Sequence, residues 1–158
     1  MSFSLRQATP KDAEILTEMR WKLFEETHST VTPEPTPEFL RECRAAVVDL
    51  LDSGRAFGWL AVLEDGAAIG NLVLLVHSRL PSPRNVVPRE GYVMNVWVEP
   101  AWRRKGIATA LMAAAVDKSR ALGLGRVRLH STQEGRGTYA RAGFVPREDG
   151  MELHLTEF

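Results

Sequence analysis

The chain has 158 residues, 44% hydrophobic and 25% charged, proportions that suit one water-soluble globular domain over 1–158. Its 20 basic and 20 acidic side chains cancel, so no overall field draws it to nucleic acid or a membrane, while near-neutrality leaves a homodimer open. One cysteine excludes an internal disulfide, the histidines lack metal-ligand spacing, no apolar run nears the ~20 residues of a membrane span, and the start is not signal-like, so a cytoplasmic protein without metal is expected.

Phe3 to Ala8 reads as a short strand. Thr9 suits a helix N-cap, Pro10 the first helical position and Asp12 the reciprocal capping place. Ala13, Leu16, Met19 and Leu23 then share one face of a first helix. The proline-rich stretch Thr30–Pro37 breaks it, and Thr36-Pro37 opens a second helix with the stripe Leu40, Cys43, Val47, Leu50 and Leu51, stopped by Gly54. Cys43 is expected on that stripe as a small core residue and not as a nucleophile. Phe57–Leu63 and Ala68–His77 read as two strands joined by the Asp65-Gly66 turn. After a proline-containing surface loop, Tyr92–Val98 forms a further strand. A helix follows from about Lys105 to Leu122, broken by Gly123 and Gly125, with Ala110, Leu111, Ala114 and Leu122 at helical spacing. The chain then reads as a strand Val127–His130, a short helix Gly135–Ala142 stopped by Gly143, a short extra strand near Phe144, and a last strand Met151–Leu155. A strand–helix–strand unit implies a parallel pair and a tight hairpin an antiparallel one, so the fold class is mixed α+β.

The most informative stretch is the junction Val96–Leu111. Val96 and Val98 alternate as β-branched strand residues, and Pro100 ends the strand. Arg103, Arg104 and Lys105 then stand beside the unpaired N–H groups that open the following helix, where Gly106 lets a ligand approach the main chain. Such a helix start is an anion site suited to phosphate. It is neither a P-loop nor a dinucleotide-binding turn, because the additional glycines and the following Lys of those motifs are missing.

Arg103-x-x-Gly106-x-Ala108 after a Val-x-Val strand resembles the pyrophosphate loop of the GNAT superfamily of acetyl-CoA-dependent N-acetyltransferases. Tyr139-Ala140-Arg141-Ala142-Gly143-Phe144 is similar to that family's Tyr-x-x-x-Gly-Phe signature, and Leu5–Ala13 looks like a common family opening. The resemblance thus spans nearly the whole chain. It implies a mixed, mostly antiparallel sheet of 6–7 strands with a central splayed parallel pair and about four flanking helices.

It also implies roles. Acetyl-CoA would place its pyrophosphate on the turn Arg103, Arg104, Lys105, Gly106, Ile107, Ala108 and Thr109, and its amide-bearing arm along the backbone of Val96, Trp97 and Val98. The Val96 N–H would polarise the thioester carbonyl, a role worth roughly 3–4 kcal/mol for comparable donors. Tyr139 falls at the general-acid position that protonates the departing sulfur. Thr132 stands where the family often has an Asn touching the cofactor arm, and offers a hydroxyl of shorter reach. The acceptor is a primary amine of a small molecule or protein, which must shed a proton at about 4–5 kcal/mol near neutral pH if its pKa is lysine-like. Glu90 is a candidate base, with Glu25, Glu26 and His77 behind it, each equally readable as an ordinary structural or surface group; Asn95 could only orient a water. Trp97 and Trp102 could line the acceptor or adenine side or simply pack, and Arg136 and Arg141 could meet the 3′-phosphate or an acidic substrate or form a solvated helix face. The competing functions are a non-catalytic acyl-CoA sensor, which needs no Tyr139, and a small nucleic-acid-binding domain, which balanced charge disfavours.

Overall fold

The structure, a computed structural model, describes residues 2–147 and 149–156. Its elements run β1 (Ser4–Gln7), α1 (Ala13–Glu26), α2 (Pro37–Asp52), β2 (Ala56–Val62), β3 (Ala68–Ser78), β4 (Arg89–Val98), α3 (Ile107–Ala121), β5 (Val127–Leu129) and α4 (Arg136–Arg141). Single 3₁₀ turns at Pro10–Asp12 and Pro100–Trp102 lead toward α1 and α3. Among the described residues the sheet has five strands in sequence order, antiparallel from β1 to β4 and parallel between β4 and β5.

The local chemistry accounts for these boundaries. The Asp12 carboxylate accepts from the Thr9 N–H at 2.8 Å and pairs with Arg6, fixing the entry to α1. Thr36 Oγ1 accepts from the Phe39 N–H at 3.1 Å and starts α2. One face of the sheet packs on α3 through Ile107, Leu111, Met112 and Ala115, with Leu72, Leu74, Val93 and Val98 beneath them. The other face packs on α1 through Leu16 and Met19, against Leu60, Val62 and Trp97. Leu16, Leu60, Leu72, Leu74 and Leu111 are at most 1% exposed, so each contributes on the order of 1.5–3 kcal/mol of burial.

Three expectations are corrected. Among the described residues the sheet has five strands and not 6–7, and none forms near Phe144. The Phe144 N–H closes α4 on the Tyr139 carbonyl at 3.0 Å, and its ring packs edge-on against Tyr139. Met151–Leu155 forms no strand, and Met151, Leu153 and Leu155 are at least 83% exposed. Three alternating apolar residues supply too little burial to order a strand that no neighbouring ladder receives. A fourth reading also changes: Cys43 is half-buried and lines a cavity, and no residue of α2 is fully buried.

Candidate active site

The site is built where β4 stops behaving as a regular strand. Asn71 pairs with Trp97 but Val73 pairs with Met94, so two residues of β4, Asn95 and Val96, stand opposite the single Leu72 of β3. This bulge is centred on Asn95, which adopts φ 63° and is 6% exposed. Its amide is fully determined by its partners: Nδ2 donates to Asn71 Oδ1 at 2.8 Å and to the Leu16 carbonyl at 3.3 Å, and Oδ1 accepts from Arg20 at 3.2 Å. The left-handed conformation is thereby held by three elements, α1, β3 and β4.

β5 pairs with β4 only from Gly91 to Val93. Beyond that, among the described residues, no strand covers the far edge of Met94–Val98, so β4 and β5 fork and leave main-chain groups free. After the 3₁₀ turn Pro100–Trp102 the chain enters the turn before α3. There Arg104 has φ 62° and Gly106, the N-cap of α3, φ 83°. Among the described residues no acceptor meets the amide N–H groups of Arg104 through Thr109; the first helical bond is Ala110 to the Gly106 carbonyl at 3.0 Å. α3 has no acidic residue in its first turn, and Arg104 and Lys105 are exposed with no carboxylate partner among the described residues. Successive free amides, a helix start and two unspent cations make a concavity for an anion. Ile107 anchors it, being 2% exposed, whereas Ala108 is half-buried and Thr109 exposed.

Arg103 has a different occupation. Its Nε donates to the Val98 carbonyl at 2.9 Å, and its two terminal nitrogens grip Glu26 at 2.5 and 2.6 Å. Glu26 also accepts from Trp97 Nε1 at 2.9 Å. Its carboxyl therefore lies below the ordinary range, held there by the Arg103 hydrogen bond against the opposing effect of burial, with help from Trp97. This staple ties the end of α1 to β4 and to the turn. Trp97, 6% exposed, packs under α1 with Lys22 over its ring, so only its main chain faces the fork.

Tyr139, Phe144, Val96, Trp102 and Ala108 all pack on the same core cluster. The Tyr139 ring lies against Gly135, where a Cβ would stand 2.7 Å from it. Burial raises its pKa above the usual phenol value, so it stays protonated at neutral pH, and among the described residues its hydroxyl has no partner. Thr132 holds the turn into α4, accepting from the Gly135 N–H through its carbonyl at 3.1 Å and through Oγ1 at 3.3 Å.

Glu90 does not join this group. It sits at the opposite end of β4, 4% exposed, on Arg126, with His77 at 3.7 Å and Arg79 at 3.9 Å. Burial favours its neutral form, but the Arg126 hydrogen bond and charge, with His77 and Arg128, outweigh it and hold the carboxyl below its ordinary range. A carboxylate so stabilised is a poor proton acceptor. His77 shares that distant end, and Glu25 is exposed. The fork instead carries a pair that the sequence did not single out: the Tyr92 hydroxyl is hydrogen-bonded to His130 Nδ1, joining β4 to the residue after β5. Only the pairing of the two strands brings these positions together, and neither has a local motif.

The chain matches a known family and shares its fold with solved structures. The Acetyltransferase (GNAT) family matches residues 14–144. A predicted acetyltransferase from Clostridium acetobutylicum, crystallised with acetyl-CoA, superposes with a TM-score of 0.86 at 23% identity over 98% of this chain and 97% of its own. A GCN5-related N-acetyltransferase from Ralstonia eutropha JMP134 gives 0.83 at 26% identity over 98% and 100%. Glucosamine-6-phosphate N-acetyltransferase from Arabidopsis thaliana gives 0.75 at 18% identity over 99% and 100%. No curated protein matches by sequence. No helix among the described residues is long and apolar enough to cross a membrane. With the family match covering most of the chain and the forked sheet running into a phosphate-ready helix start, the chain belongs to the GNAT family of acetyltransferases.

Proposed function

We propose that this chain is an acetyl-CoA-dependent N-acetyltransferase that transfers acetyl directly to a primary amine. One observation carries the reading: the free β4 edge of Met94–Val98 is followed, across the single 3₁₀ turn Pro100–Trp102, by the unpartnered amides of Arg104–Thr109. A diphosphate fits the second and an amide-bearing arm the first. The bound thioester supplies an activated acetyl carbon, to which the amine lone pair bonds while the C–S bond breaks and sulfur takes the electron pair.

The chain's own residues prepare that exchange. Arg104, Lys105 and the α3 amides neutralise the phosphates, while Gly106 keeps the main chain accessible. The main chain of Val96, Trp97 and Val98 aligns the arm, and the Val96 N–H sits at the bulge to polarise the carbonyl. Tyr139 donates its proton to the departing sulfur and regains one from solvent. His130, held by Tyr92, accepts the proton that the acceptor ammonium must lose. Thr132 orients α4, and with it Tyr139, and Arg103 fixes the turn through Glu26.

The test couples calorimetric titration of acetyl-CoA with an assay for released CoA thiol across a panel of amines. Binding with amine-dependent release supports the reading. Binding with no release from any amine supports a sensor instead, and absence of binding overturns the reading altogether.

A further inference from the structure

The half-buried stripe of α2 has a physical reason. Between α1, α2 and the sheet lies a cavity of about 170 Å³, walled by Leu16, Val47, Leu50, Leu51, Val73 and Met94. A dry, apolar cavity of about 150 Å³ is enough to hold a benzene ring. This one is not sealed in the core: Met94 and Asn95 belong to its lining, and they immediately precede Val96 on the free edge. A group bound there ends beside the bulge.

The cavity lining includes one charged side chain, Arg20. Its guanidinium is held beside the bulge by Asn95 Oδ1, and its face lies 4.8 Å from the Phe24 ring centroid. No carboxylate among the described residues lies within ion-pair distance of it. A guanidinium has five N–H donors in a fork that matches a carboxylate, and here one donor has a partner. The same face of the fork carries Tyr92, its register neighbour Arg128, and His130, none of them acidic.

Resting on the acetyltransferase reading above, we infer that the acceptor is an apolar α-amino acid: its side chain of isobutyl or benzyl size enters the cavity, its carboxylate pairs with Arg20, and its amine is left at the bulge facing Val96. An apolar body needs the walls, an anion needs the unmatched guanidinium, and both flank the same β4 residues. A sugar or polyamine would leave the apolar walls unfilled and meet a cation.

The test measures acetyl-CoA-dependent thiol release with phenylalanine and leucine, with their carboxamides, with phenethylamine and isoamylamine, and with glycine. The free amino acids should exceed their carboxamides in kcat/KM by roughly tenfold or more, the usual scale for losing a charge-assisted pair. Arg20→Met should remove that preference chiefly through KM, and Arg20→Lys should restore part of it. Val47→Trp, which fills the cavity, should cut turnover of phenylalanine and leucine by a larger factor than that of glycine. Equal use of acids and carboxamides, or a preference that survives Arg20→Met, overturns the inference; the first comparison needs no variant to fold. Calorimetry with acetyl-CoA runs alongside. Binding plus acetylation of other amines with none of the amino acids sinks this inference alone, whereas no binding sinks the acetyltransferase reading with it.

Discussion

Gly106 and Gly123 flank α3 and form a matched pair for testing the phosphate site. Both lie in the left-handed region, at φ 83° and 68°, and a Cβ on either would meet nothing within 4 Å. Replacing either by Ala therefore costs only the strain of an L residue in that conformation, about 1–2 kcal/mol. For a chain of this size each kcal/mol lowers Tm by roughly 2–4 °C. Without ligand the two variants should melt alike. With ligand they should part, because only the Gly106 methyl stands among the amides of Arg104–Thr109. A ligand at a hundred times its Kd stabilises a protein by about 2.7 kcal/mol, and a tenfold loss of affinity cuts that to about 1.4. Thermal unfolding at increasing acetyl-CoA should show full protection for Gly123→Ala and about half of it for Gly106→Ala, with calorimetry giving the Kd ratio. Equal protection of both variants would mean that the start of α3 is not where the phosphates sit.

Tyr139→Phe should lower kcat by on the order of 10²-fold with acetyl-CoA affinity retained, since it deletes a proton donor and little else; single-turnover kinetics with calorimetry check both halves. Gly135→Ala should lower kcat as well, because its Cβ would press 2.7 Å from the Tyr139 ring and displace it; wild-type kcat there would remove the requirement for ring placement. The Glu26 carboxyl is depressed in the folded state, so its contribution to stability is complete above its unfolded pKa and fades as pH falls toward the folded value. Tm recorded from neutral to acid should therefore drop less steeply for Glu26→Gln than for wild type, by a modest margin because the pair is partly exposed. Glu90→Gln should cost about 1–3 kcal/mol by denaturant melts while the acid limb of the kcat/KM profile persists; loss of that limb would reinstate Glu90 as the base.

What the sequence disclosed and what it withheld divide along physical lines. Thr9, Thr36 and Gly106 mark helix starts by local chemistry, and the apolar periods that follow mark the helices, so those elements were readable from neighbours within a few residues. The turn before α3 was readable for the same reason. The fork was not derivable from residue patterns, because it depends on where β5 stops pairing, and it entered only through the resemblance. The Glu26 clasp on Arg103 joins positions far apart in the chain, so a cation expected to face phosphate instead fastens α1. Glu90 shows the converse: a carboxylate at a strand start gives no sign that Arg126 will neutralise it from across the sheet. Met151–Leu155 has the alternation of a strand, yet alternation specifies a face and not a neighbour.

The inserted residue at Asn95 also sets the parity of everything after it. Side chains alternate sides along a strand, so the odd residue makes Val96 and Val98 point toward α3 and Trp97 toward α1. Excising Asn95 would exchange those directions, driving an indole into the α3 layer and turning two valines toward α1. Length in this strand is consequently not a neutral variable, as it would be in a loop. A single-codon deletion here should prove more damaging than most substitutions at the same place.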